Sequence, residues 1–153
     1  MTLWIDADAC PVVVKELICR TSIRTQIPAI FVANHGITLP KSAFIRLILV
    51  ANSFDAADRH ILAHIQTNDL LITADLLLAA SAIEIGAHVL TPHGKHHHSD
   101  NIHNLIATRT LIDSLRASNP HDPPAHSKQK PYTNKDKHQF ANQLDSLLRQ
   151  FNP

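Results

Sequence analysis

Five short runs of mostly apolar residues recur along the chain: Leu3 to Asp6, Ala29 to Ala33, Ile45 to Val50, Leu70 to Thr73, and Ala87 to Leu90. Runs of this kind read as strands buried on both faces. The segments between most of them have helical character. Pro11 suits the first position of a helix running to about Thr25, and Asp55 to Gln66 alternates apolar and polar residues with helical period. Leu76 to Ile85 follows as a helix stopped by Gly86. Strands that alternate with helices at this spacing predict an α/β fold: a mostly parallel sheet with helices on both faces. Asn34 to Pro40 is rich in turn residues. Beyond the fifth run, Asn101 to Ala117 reads as a helix with Ile102, Leu105, Ile106, Ile112 and Leu115 on an apolar stripe. The stretch 119–132 is rich in Pro, His and Lys and reads as a flexible loop. Thr133 to Asp136 resembles a capping box that opens a C-terminal helix through Phe151, with Phe140, Leu144, Leu147 and Leu148 as its docking face. A chain of 153 residues suits one domain over 1–153.

Charge narrows the function classes. Lys plus Arg number 14 and Asp plus Glu 13, so no overall basic field draws nucleic acid, and binding it would depend on local patches. One Trp and one Tyr argue against an extended base-stacking platform. Cys10 and Cys19 have neither zinc-site nor disulfide-framework spacing. No apolar run has membrane-spanning length and the start of the chain lacks signal-peptide character, so a cytoplasmic protein with no membrane partner is expected. Lys95 to His98, with His93 and His103, reads as a polar loop between strand and helix, with binding of a soft divalent metal as the alternative.

The acids stand in a pattern. Asp6 and Asp8 end the first strand, Asp75 follows the fourth, and Asp55 and Asp58 open the helix after the third. In a parallel sheet all of these fall on the carboxyl edge, where α/β folds bind ligands. Unpaired carboxylates gathered in one place repel one another and call for a cation, and hard oxygen donors suit Mg²⁺ or Mn²⁺. Local structure offers other roles. Asp55 reads as a helix N-cap with Asp58 as its partner at N3, Asp75 can cap the next helix, and Asp8 can accept from backbone N–H groups at a helix start. Arg109, Asp113 and Arg116 share one helical face, suited to gripping a phosphate or to a surface ion ladder. Lys15 and Arg46 are further phosphate candidates. Asn34 can orient water or substrate, or serve the turn that follows it. Cys10 reads as a small buried residue rather than a nucleophile.

Asp6-Ala7-Asp8-Ala9-Cys10-Pro11, Phe54-Asp55-Ala56-Ala57-Asp58, Ile72-Thr73-Ala74-Asp75 with Leu78-Ala79, and the stretch Arg109 to Arg116 together resemble the YaiI/YqxD family, bacterial proteins related to PIN-like domains. The resemblance implies a three-layer PIN-like fold and a metal-dependent ribonuclease-type site. Asp6, Asp58 and Asp75 match the positions of its metal-holding acids, Asp8 would complete the shell or position water, and Asn34, Arg109 and Arg116 would contact substrate. The implied cofactor is Mg²⁺ or Mn²⁺ and the implied partner nucleic acid, RNA first. A homodimer is the default expectation. One departure is the segment Lys128-Gln129-Lys130-Pro131, which often contains glycine in the family. Two other functions stay open. A haloacid-dehalogenase-like phosphohydrolase also opens on Asp-x-Asp, with Asp6 as nucleophile and Asp8 as general acid. A non-catalytic RNA- or protein-binding module would keep the acids only for ion-stabilised folding.

Overall fold

The structure, a computed structural model, describes residues 1–118 and 130–153. Most of the loop expected over 119–132, with Lys128 and Gln129 of the lysine segment, lies outside the described residues. The elements in chain order are β1 (Leu3–Asp6), α1 (Val12–Thr25), β2 (Ala29–Ala33), β3 (Ile45–Leu49), α2 (Ala56–His64), β4 (Leu70–Ile72), α3 (Leu76–Ile85), β5 (His88–Leu90), β6 (His96–His97), α4 (Ser99–Ser118) and α5 (Asn134–Phe151). The sheet runs β3-β2-β1-β4-β5-β6. Its first five strands are parallel and β6 is antiparallel to β5.

Alternation along each strand assigns side chains to the two faces. Leu3, Ile5, Phe31, Ala33, Leu70, Ile72 and Leu90 pack with Val14 and Ile18 of α1 and with Phe140, Leu144, Leu147 and Leu148 of α5. Trp4, Val32, Leu71 and Val89 face the other way, onto Ile61 of α2, Leu78, Ala79 and Ala82 of α3, and Ile102 of α4. The result is the three-layer arrangement expected, with each fully buried aliphatic side chain contributing about 1.5–3 kcal/mol. The Thr133–Asp136 capping box is formed, and it starts α5 at the residue expected. No helix among the described residues is long and apolar enough to cross a membrane.

Three local expectations are corrected. Pro11 is the N-cap of α1 rather than its first helical residue, because its ψ of 146° is extended. The histidine stretch is not a loop. The turn after β5 closes through a bond from Thr91 N–H to Lys95 C=O, 2.9 Å, and carries His96 and His97 back beside Leu90 and Val89 as β6. Gly94 makes this turn possible, since a Cβ there would come 2.6 Å from the Gln139–Phe140 backbone of α5. Finally, only the start of the α4 stripe is covered. Ile102 is buried, Leu105 and Ile106 are half-buried, and Leu111, Ile112 and Leu115 are exposed on the far end of the helix.

From central β1 the chain steps outward through β2 to β3, then returns to the other side of β1 to form β4. The carboxyl ends of β1 and β4 therefore flank the point where strand order reverses. Open α/β sheets place their ligand crevices there.

Candidate functional site

Asp6 is the last residue of β1, and the pairing of Ile5 with Ile72 brings the segment after β4 up beside it. The Thr73 hydroxyl donates to Asp6 Oδ2 (2.9 Å) and accepts from the Asp75 backbone N–H (3.0 Å), so one threonine ties the two acidic positions together. Asp75 caps α3 as local reasoning suggested, its Oδ1 accepting from Leu77 N–H (2.9 Å) and Leu78 N–H (3.1 Å). Capping occupies one oxygen and does not remove the residue from the cluster. Asp58 lies in the first turn of α2.

Electrostatics records the convergence. Burial pushes the pKa of Asp6 above the ordinary carboxylate range. The Thr73 hydrogen bond partly offsets this, and the charges of Asp75 and Asp8 add to it. Asp58 is pushed up to about 6, first by burial and then by Asp75, Asp6 and Asp55. Three strand-to-helix junctions thus bring Asp6, Asp58 and Asp75 within range of one another's fields. Among the described residues, no lysine or arginine forms a salt bridge with any of the three.

Asp55 does not cap α2 with its side chain. It sits at the N-cap in the left-handed region, φ 57°, and its carboxylate meets Arg59 Nε at 3.4 Å instead. Nor does Asp8 accept from the start of α1. Its Oδ2 takes the backbone N–H of Asn34 (2.9 Å), and its Oδ1 lies 2.8 Å from His35 Nδ1. The Asn34 side chain joins this group through Asn52 Oδ1 (3.2 Å) and His35 (3.1 Å). Asn34 is therefore at the acid edge, while His35 and Asn52 were missed. Their contacts join loops that follow different strands, and the sequence signal available was only that both lie in loops after strands bound for the carboxyl edge.

Arg109 shares a shallow pocket with Leu76 and Leu77, beside the first turn of the helix that Asp75 caps. Arg116 is about two turns further along α4, on the same exposed face as Asp113. Neither arginine forms a salt bridge with Asp113 among the described residues, so the ion-ladder alternative is not formed. Lys15 is half-buried and its charge acts on Cys10, whereas Arg46 is exposed on edge strand β3. Burial pushes the Cys10 thiol up to about 12, which leaves no reactive thiolate near neutrality. A cavity of about 530 Å³ lies along α1 and the 37–40 segment and is lined by none of these aspartates.

The donor chemistry fits a hard divalent cation: carboxylates, partly desolvated, without a cationic partner. Among the described residues, no three Asp, Glu, His or Cys side chains form a group that could hold a metal ion as they stand. An ion such as Mg²⁺ commonly takes one or two carboxylates and fills its octahedron with water and phosphate oxygens, a demand this edge can meet.

Residues 4–150 match the family model described as "Uncharacterized BCR, YaiI/YqxD family". Among similar proteins is a UPF0178 protein of Hydrogenovibrio crunogenus, 42% identical over 153 residues, covering 99% of this chain and 97% of the relative. UPF0178 proteins of Hahella chejuensis and Alkalilimnicola ehrlichii are 41% and 43% identical over 150 residues; each alignment covers 97% of this chain, with 96% and 97% of the respective relatives. No solved structure gives a significant match.

Proposed function

The chain belongs to the YaiI/YqxD family, and from the acid cluster at its switch point we propose that it is a divalent-metal-dependent phosphodiesterase acting on nucleic acid, RNA first. The observation that carries this reading is the meeting of acids at the switch point: Thr73 links Asp6 to the Asp75 backbone, and Asp58 lies within the field of both, with no lysine or arginine in a salt bridge to any of the three among the described residues. A fold that keeps carboxylates in mutual repulsion at a ligand-binding edge is arranged for a cation. The resemblance to PIN-like sites supports the nuclease class, by analogy of fold.

In this reading Mg²⁺ or Mn²⁺ would be held from among Asp6, Asp58 and Asp75, one or two of them ligating directly and water completing the shell. When bound, the ion supplies charge neutralisation for the phosphodiester and an activated water. The protein's own residues do the rest. Thr73 fixes the direction of the Asp6 carboxylate and the backbone at Asp75. Arg109, beside α3, presents a guanidinium fork to a phosphate oxygen pair, and Arg116 extends the same grip along the strand. Asn34 borders the other side, next to Asp8.

The test is a Mn²⁺ titration by calorimetry, paired with cleavage of single-stranded RNA, in the wild type and in Asp6→Asn. The variant is expected to lose at least about tenfold in affinity and to cleave far more slowly, since a ligand and a unit of charge are gone. Equal affinity and equal residual activity in both proteins would overturn the proposal.

A further inference from the structure

His35 follows β2 at the carboxyl edge of the sheet, where it meets Asp8, whose charge acts on Asp6. The Asn34 amide group donates through Nδ2 to Asn52 Oδ1 (3.2 Å), which turns Asn34 Oδ1 toward the imidazole. His35 Nδ1 therefore faces two acceptors, Asp8 Oδ1 at 2.8 Å and Asn34 Oδ1 at 3.1 Å. An imidazole nitrogen between two acceptor oxygens must carry the hydrogen. Nε2, across the ring, is left to face outward on a side chain that is 61% exposed. The carboxylate that holds the ring is itself held, since Asp8 Oδ2 accepts from the Asn34 backbone N–H. The group is assembled from the ends of β1, β2 and β3, and the charge of Asp8 is felt by Asp6.

We propose that Asp8 and His35 form an acid–base dyad of this site: His35 is the catalytic residue that delivers a proton to the departing oxygen, and Asp8 is the positioning residue. The proposal rests on the phosphodiesterase reading and removes Asp8 from the metal shell. A carboxylate engaged by an imidazole and a backbone N–H does for the ring what the aspartate of a Ser-His-Asp triad does, fixing tautomer and direction.

Water oxygen bonds to phosphorus and the bond from phosphorus to the leaving ester oxygen breaks. His35 enters the step as the imidazolium, with hydrogen on both ring nitrogens and Nδ1–H held by Asp8, and its Nε2 proton moves to that oxygen, which leaves as a sugar hydroxyl. The attacking water loses its proton to solvent, and His35 regains one from solvent. The products are a phosphate monoester and an alcohol. A sugar alkoxide is a strong base and leaves poorly unprotonated, so a positioned acid contributes about 10²–10⁴-fold.

The alternative role is a latch that only pins the loop after β2, and leaving-group chemistry separates the two. The wild type, His35→Gln and Asp8→Asn, each with Mn²⁺, are compared on a dinucleotide and on a nucleoside p-nitrophenyl phosphodiester, whose leaving group needs no proton. The expected result for His35→Gln is a loss of about 10²-fold or more on the dinucleotide, with less than about threefold on the nitrophenyl ester. Mn²⁺ affinity by calorimetry should stay at the wild-type value. In the metal-free proteins, ¹⁵N NMR should show hydrogen on Nδ1 of His35 in the wild type and lose that signature in Asp8→Asn. Equal losses on both substrates, no loss on either, or a fall in Mn²⁺ affinity with His35→Gln would each overturn the dyad while leaving the phosphodiesterase reading standing. A wild type that binds no Mn²⁺ and cleaves neither substrate overturns both.

Discussion

Asp58 shows how a residue of the proposed site would trade stability for chemistry. Its folded-state pKa, about 6, exceeds the ordinary value of 3.8, so the folded chain holds a proton that the unfolded chain releases first. Stability therefore falls as pH rises across that window. Above it the native state carries the full cost of the ionised group, on the order of 1 kcal/mol after discounting for its partial solvent exposure. Asp58→Asn should accordingly raise the Tm of the metal-free protein at pH 7.5 by a few degrees. It should also shrink the further rise that Mn²⁺ gives the wild type. Differential scanning calorimetry checks both, and a lower metal-free Tm in the variant would remove the repulsion argument. Asp6 and Asp75 were legible in the sequence because apolar strands ended at them, and parallel strands end on one edge. The Asp8–His35 contact was not legible, because a meeting between two loops leaves no periodic trace. Asp55 misled for a different reason: its type favours an N-cap, but a left-handed backbone turns its carboxylate to Arg59.

Among the elements, β6 was the least visible, for two histidines carry neither apolar alternation nor strand propensity. Register across the Gly94 turn makes them a strand, and burial then sets their charge state. His96 is held down to about 4, by burial first and then by His98, His88 and His97. Between 6.5 and about 4 the unfolded chain binds a proton that the folded chain refuses, so stability drops as pH falls through that range. The loss at pH 5 should be on the order of 1 kcal/mol once solvent screening is allowed for. Hydrogen exchange at the β5 and β6 amides should accelerate relative to global unfolding between pH 7.5 and 5, and His96→Gln should flatten that dependence. The start of α5 is the opposite case, legible because its chemistry is local. Thr133 accepts from Asp136 N–H (3.2 Å) and Asp136 Oδ2 accepts from Thr133 N–H (2.9 Å). Thr133→Ala should cost about 1 kcal/mol by urea denaturation.

At the scale of the molecule, alternation along the five parallel strands decides the layers, and that much is written in the sequence. What it leaves unwritten is which helix covers which part of each face. The α1 side of the sheet is closed by α5, whose Phe140, Leu144, Leu147 and Leu148 pack with Leu3, Ile5, Phe31 and Leu90 in one core. Four side chains buried to 5% exposure or less contribute on the order of 6–12 kcal/mol at about 1.5–3 kcal/mol each. That is comparable with the whole stability of a typical domain, about 5–15 kcal/mol. A chain ending at residue 130 should therefore lose cooperative thermal unfolding and bind ANS, because the sheet face under α5 would be bare. Phe140→Ala tests the same argument within the intact chain, with an expected loss of about 3–5 kcal/mol in denaturant midpoint experiments. If the shortened chain melts cooperatively near the wild-type temperature, α5 is an accessory to the fold and not its closing layer. The Gly94 turn, seated on the α5 backbone, would then need another support to hold β6 in register.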